Sequence, residues 1–259
     1  MMKIVGAMQV GGNCEWILPK SLKNLSSIVD EVVVVGRGYV SDETERIVRG
    51  ISNIALADLA EGESKRIEWD DMGMLLKMAL QRKADWILFM DSDETFEPRL
   101  RKEIREMVER HDVGMYAFKK YWLWKDDKHY RVDRPDKFLS YAFNTCLVRA
   151  STKLRFYNPA GPFLKRLAKH ILGKEKLRPY FGRNPVQGFE GKLVNTEIIV
   201  LHHAAVNWGH FVKNQIWYAS LIAKREPKRD EYSIAEQLYS ILDESTLKLE
   251  PVRPEWIDY

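Results

Sequence analysis

The chain has 259 residues, 45% of them hydrophobic and 30% charged, with a formal net charge of +4. That length and apolar content support a packed core and exclude disorder as the main state. The longest apolar runs, at residues 32–35 and 86–90, fall far short of the roughly 18 residues that a membrane-spanning helix needs.

The apolar stretch after Lys3 is too short for a signal peptide and is ended by Gly11, Gly12 and Asn13. Cys14 and Cys146 offer neither a disulfide framework nor a metal-ligand spacing. The expectation is a reduced protein of the cytoplasm, with contact to the inner face of a membrane left open.

Residues 3–10 read as a buried strand and residues 13–27 as a helix with Pro19 near its start. Residues 31–35 are almost pure valine, as suits a parallel strand buried on both faces. A polar turn over 36–41 follows, and Asp42 with Glu45 has capping-box spacing for a short helix through Ile51. Residues 53–59 form a weaker third strand. Asp70 or Asp71 can cap a helix over 72–83, and 85–90 is the fourth strand. This alternation predicts an α/β fold, an open and mainly parallel sheet flanked by helices. In such sheets ligands bind at the carboxyl ends of the strands.

The second half reads as an α+β extension. Residues 98–110 form an amphipathic helix, 114–124 a strand, 125–128 a polar turn, 141–149 and 197–201 strands, and 208–224 and 233–242 helices. Between residues 151 and 189 nine Lys and Arg stand against one acid, Glu175. Within that segment apolar pairs recur at helical spacing from Phe163 to Leu172, with Lys165, Arg166 and Lys169 between them. Such a basic amphipathic helix suits a surface helix, a lid or an anionic membrane. The expected boundary lies at residue 150, with an α/β core over 1–150 and an α+β region over 151–259.

The strongest chemical signal is Asp91-Ser92-Asp93-Glu94 directly after the apolar run 86–90. Two carboxylates one residue apart can share a hard divalent cation that keeps positions open for phosphate oxygens. A solvated acidic turn is the plain alternative. Thr95 also completes the Asp-x-Asp-x-Thr of a haloacid-dehalogenase-like phosphatase, with Asp91 as nucleophile and Asp93 as general acid. That motif belongs on a first strand, and the later acidic pair it needs is offered only by Asp126-Asp127 in a polar turn.

Taken in order, the pieces resemble a family-2 glycosyltransferase of the GT-A fold. They are residues 3–10 with Asn13-Cys14-Glu15, residues 30–35 with Ser41-Asp42-Glu43-Thr44, residues 84–88 leading into Asp91-Ser92-Asp93-Glu94, and Leu201-His202-His203 before the helix with Lys213, Tyr218 and Ala219. The resemblance implies transfer of a sugar, with inversion, from a nucleotide sugar to a hydroxyl acceptor. That acceptor would be a saccharide, a lipid-linked saccharide, a protein or modified nucleic acid. No obligate protein partner is evident. Mn²⁺ or Mg²⁺ would sit at Asp91 and Asp93, with His202 or His203 completing the set. Donor contacts are expected from Gln9, Asn13 and Glu15, from Gly36, Arg37 and Asp42, and from Asp91, Ser92 and Arg134. One departure is Gly36-Arg37-Gly38, where the family often carries an aspartate that reads the base.

Candidates for the base that deprotonates the acceptor are Glu190, then Asp136, then Glu94. Arg131 and Arg134 carry guanidinium forks suited to phosphate, a solvated hairpin being the competing reading. Trp122 and Trp124 share a strand face and suit either the core or a stacked sugar. A basic nucleic-acid-binding module is the non-enzyme alternative, but it lacks the pattern of an RNA-recognition sheet or a zinc finger.

Overall fold

A computed structural model describes residues 1–11, 14–38, 40–61, 68–156, 186–225 and 229–257. The basic segment expected to form an amphipathic helix, and Asn13, lie outside the described residues. The chain separates into two compact units. One is Met1–Lys119 with Tyr141–Val200 and Glu255–Tyr259; the other is Lys120–Ser140 with Leu201–Pro254. Residue 150 falls inside the first.

The first unit is built on a parallel sheet, as the strand–helix alternation required. Its strands are β1 (Ile4–Val10), β2 (Glu31–Gly38), β3 (Ile54–Glu61) and β4 (Trp86–Asp91), in the order β3-β2-β1-β4. β8 (Leu139–Arg149) pairs antiparallel with β4 on its outer side, Trp86 opposite Arg149 and Phe89 opposite Cys146. The valines of β2 are fully buried because both faces of the sheet are covered.

On one face pack α1 (Leu18–Ser26), α2 (Asp42–Arg49) and α4 (Pro98–Glu109), through Leu18, Leu22, Leu25, Val48, Leu100 and Ile104. On the other lies α3 (Glu68–Gln81), through Met72, Leu75, Leu76 and Ala79. Gly6 on β1 is set by close packing, because a Cβ there would stand 2.9 Å from the Leu25 side chain.

β5 (Glu94–Phe96) follows β4 directly, and β6 (Val113–Trp124) begins after α4. β11 (Lys192–Ala205) pairs with both β5 and β6. A short ribbon joins β9 (Arg155–Phe156) to β10 (Val186–Gln187).

The second unit holds β7 (His129–Arg131), α5 (Pro135–Phe138), α6 (Trp208–Arg225), α7 (Glu231–Leu242) and β12 (Leu249–Pro251). β7 pairs with the end of β6 and with β12. The core here is aromatic: Trp124, Phe138 and Phe211 meet edge to face, with Trp122 and Trp208 against them.

Several local expectations are corrected. The first helix begins at Leu18 rather than Asn13, with Pro19 in its first turn, where a missing N–H costs nothing. Ser41, not Asp42, caps α2, its hydroxyl accepting the Thr44 amide at 3.1 Å. The turn expected over 36–41 is partly strand, since β2 continues to Gly38. α3 starts at Glu68, so Asp70 and Asp71 lie within the helix instead of capping it. β11 is 14 residues long, far beyond the expected 197–201.

Candidate active site

Strand pairing in the first unit aligns one row at the carboxyl ends of the parallel strands. Gln9 is opposite Asp91 on one side and Val35 on the other, and Val35 is opposite Asp58. Residues in register on adjacent strands present their side chains to the same face. Here that is the α3 face, since Val35 and Phe89 belong to its core. Gln9 is buried and donates its amide to Asp71 of α3, which is also buried. Gln9 thus stands next to Asp91, with its amide nitrogen engaged inside the protein.

The Asp91–Glu94 turn is fixed from several sides. Glu94 is fully buried, accepting the Asp91 amide at 3.3 Å and the Thr145 hydroxyl of β8. Asn24 of α1 brackets the next strand, donating to the Phe96 carbonyl at 3.0 Å and accepting its amide at 2.8 Å. Glu97 accepts the Ile199 amide at 2.8 Å and pairs with Arg99 at 2.9 Å. Burial outweighs these partners and raises the Glu97 carboxyl above its ordinary value. Asp91 and Asp93 are half-buried, and Ser92 between them is buried. Two carboxylates are therefore presented from a turn whose neighbours are held in place.

Glu15 does not reach outward alone. Its carboxylate accepts the hydroxyls of Ser41 at 2.6 Å and Thr44 at 2.9 Å. It clamps the segment after β1 to the start of α2, so two loops at the ligand end are tied together. Asp42 is exposed in the first turn of α2. Gly36 is buried, and a Cβ there would press on Leu59 at 2.8 Å and Val40 at 3.0 Å. The backbone of Arg37 lies in β2, and its side chain is outside the described residues.

Glu190 is not brought to this cluster. Arg149, opposite Trp86, donates to the carbonyls of Arg110 and Val113 at 2.8 and 3.1 Å. The neighbouring Gly114 lies so close to Glu190 that a Cβ would run into the Glu190 carbonyl. Glu190 therefore sits at the amino end of β4. From Asp91 it is separated by the length of that strand, roughly 16 Å at the usual rise per residue. It is exposed in a turn between Gly188 (φ +84) and Gly191 (φ +102) and pairs with Lys153, whose ammonium lowers its carboxyl.

The remaining candidates lie in the second unit. His202 and His203 are both buried. The His202 ring stacks on Trp122 at 4.1 Å and 12°, and its Nδ1 accepts the Ala204 amide at 3.2 Å. That is the environment of a packed core histidine. Trp124 is buried in the aromatic core, and Trp122 is partly buried against it. Arg131 is fully buried and ion-paired with Asp133, so neither a phosphate grip nor a solvated hairpin describes it. Arg134 donates to the Ser240 carbonyl and to Asp243 at 2.7 Å, at the end of α7. The backbone of Asp136 lies in α5, and its side chain is outside the described residues.

Among the described residues no group of three or more His, Cys, Asp or Glu side chains is arranged to hold a metal ion. Asp91 and Asp93 by themselves suit a hard cation that completes its shell with phosphate oxygens and water. Sequence reasoning missed Asp58, Asp71 and Thr145. The first two were legible only as acids in a strand and near a helix start; strand register puts Asp58 in the same row as Gln9 and Asp91, two strands beyond Gln9, and α3 brings Asp71 onto Gln9.

No known family profile matches the chain. It is 25% identical over 178 residues to an uncharacterised glycosyltransferase, the MG060 homolog of Mycoplasma pneumoniae, covering 65% of this chain and 56% of that protein. The chain thus spans about half the length of the curated relative it matches. Among solved structures it aligns with residues 1–349 of S. aureus TarS at 17% identity and a TM-score of 0.49, covering 93% of this chain and 71% of that one. The same TarS fragment in complex with UDP-GlcNAc aligns at 16% identity and a TM-score of 0.44, covering 93% and 72%.

Proposed function

We propose that the chain is a glycosyltransferase that moves a sugar from a nucleotide-sugar donor to a hydroxyl acceptor with inversion. The observation that carries this reading is the anchored Asp91-Ser92-Asp93-Glu94 turn at the carboxyl end of a buried parallel strand. Sequence similarity to a protein named as a glycosyltransferase supports it.

Asp91 and Asp93 would hold a divalent cation, Mn²⁺ or Mg²⁺, which when bound neutralises charge on the diphosphate leaving group. Glu94 holds the turn rather than abstracting a proton, because its carboxylate is buried and engaged by Asp91 and Thr145. Glu15 holds the two loops that would frame the nucleotide. Glu190 is spent on Lys153 at the far end of β4. The reading therefore keeps Asp136 as the carboxylate for deprotonating the acceptor. Residues 1–150 would carry the donor site and residues 151–259 the acceptor side.

The phosphatase reading is less well supported. Its second acidic pair would be Asp126-Asp127. Asp126 instead accepts the Lys128 and His129 amides at 2.9 and 2.8 Å in a surface turn of the second unit.

The test is a melting-temperature panel with UDP, GDP, CDP, ADP and dTDP, with and without Mn²⁺, on wild type and Asp93→Ala. A ligand at about a hundred times its Kd stabilises by about 2.7 kcal/mol, or roughly 5–10 °C for a chain of this size. The expected result is a Mn²⁺-dependent rise with one nucleotide that disappears in Asp93→Ala. No rise with any nucleotide refutes the proposal.

A further inference from the structure

α6 carries a surface that the donor site does not use. Its 18 residues contain no acid. At 100° per residue, Lys213, Ile216, Trp217, Ser220 and Lys224 fall on one side of the helix, and all five are exposed. Ile216 is 53% and Trp217 37% exposed, on a helix whose opposite side plants Phe211 in the aromatic core. Lys213 and Lys224 stand about 16 Å apart along the axis, with the apolar pair between them. The exposed acids of the neighbouring α7, Glu231 and Glu236, are not on this helix.

We propose that this face of α6 seats on an anionic lipid surface. An aliphatic side chain and an indole suit the boundary between headgroups and acyl chains. Two flanking ammonium groups suit lipid phosphates, each adding attraction that salt screens. No described helix is long and apolar enough to cross a bilayer, so the contact is peripheral.

Charge decides against a second copy of the chain. A two-fold contact through this face would bring the lysines of both copies together with no acid on it to pair them. Sugar recognition fits less well too: Trp217 could stack on a ring, but Ser220 is the only hydroxyl of the five and the two lysines stand about 16 Å apart, so few polar groups converge beside it. This inference is independent of the donor chemistry, and its test does not read sugar transfer.

The test is flotation of the full chain with phosphatidylcholine vesicles, with and without phosphatidylglycerol. Wild type is expected to float only with phosphatidylglycerol and to be released by high salt. Ile216→Ser/Trp217→Ser and Lys213→Gln/Lys224→Gln should each weaken binding by at least about tenfold. All four positions are exposed, so melting temperatures should stay at the wild-type value. Should the apolar pair fail to fold, the lysine pair alone carries the test. Absence of binding to phosphatidylglycerol vesicles overturns the proposal. So does binding unchanged by the folded variants, or a wild-type dimer that Ile216→Ser/Trp217→Ser converts to a monomer.

Discussion

Replacing Asp133 by Asn should unlatch the second unit, and by an amount that depends on pH. Arg131 and Asp133 form a two-point pair, Nε to Oδ1 at 2.7 Å and Nη2 to Oδ2 at 2.9 Å, with side chains 0% and 2% exposed. The guanidinium packs against the rings of both Trp124 and Phe138, at 4.3 and 4.5 Å, and donates to the carbonyls of Ile241 and Asp243 at the end of α7. A cation suits that place, where the last carbonyls of a helix lack amide partners.

Burial alone would raise the Asp133 carboxyl, but the Arg131 hydrogen bonds and the Thr246 hydroxyl outweigh it and bring it from 3.8 down to about 2. A carboxyl lowered on folding stabilises fully above its unfolded value and loses that stability as pH falls through its folded value. The shift is worth about 2.4 kcal/mol at pH 7 and about 1.3 kcal/mol at pH 3. Asp133→Asn leaves a buried cation without its counter-charge, a loss of about 3–5 kcal/mol.

Urea unfolding at pH 7 and pH 3, followed by near-ultraviolet circular dichroism of the tryptophan cluster, measures both quantities. The gap between wild type and variant should narrow by about 1 kcal/mol at the lower pH. Glu31, which Arg82 and Lys3 hold at about 2, titrates in both proteins and cancels in the difference. A gap below about 1 kcal/mol at pH 7, or one that fails to narrow, would refute the reasoning.

Two further outcomes test the placement of the carboxylates, read as nucleotide release from whichever donor the panel identifies. Glu190→Gln should leave turnover within about twofold, because it removes only an exposed pair with Lys153 at the far end of β4; a loss of a hundredfold or more would mean that Glu190 acts in the reaction. Glu94→Gln retains an oxygen to accept the Asp91 amide and Thr145 hydroxyl, so it should keep activity within about tenfold with an unchanged pH profile, whereas Glu94→Ala should lose about a hundredfold. Equal loss in both variants would make Glu94 the base instead of a positioning residue.

The parallel strands, the amphipathic α4 and the helical stretch of α6 were legible because apolar saturation and helical period are local signals. The acidic turn was legible for the same reason: an apolar run must be buried, and carboxylates directly after it must emerge at a strand end. Caps were less so. Ser41 and Asp42 are both good N-caps by type, and the choice between them came from where β2 stopped. Asp71 looked like a cap because it precedes an apolar run. Extension of α3 back to Glu68 turned it inward, onto Gln9.

Arg131 marks the limit of charge as a guide. A guanidinium next to a polar turn reads as exposed, yet Asp133, two aromatic rings and the end of α7 enclose it. Asp133, Trp124 and Phe138 are near it in the chain, but the carbonyls of Ile241 and Asp243 come from the end of α7, a separation over which periodicity carries no information.

The sequence by itself determined that a buried parallel strand would deliver Asp91 and Asp93 to the ligand end of a sheet. Only the tertiary structure decided which other carboxylates join them. Register along β1–β4 brought Asp58 and Gln9 into their row, while the pairing of β8 set Thr145 on Glu94 and left Glu190 at the opposite end. Burial is a property of each segment, but shared position at a strand end depends on pairings between segments far apart in the chain, and those are settled by packing.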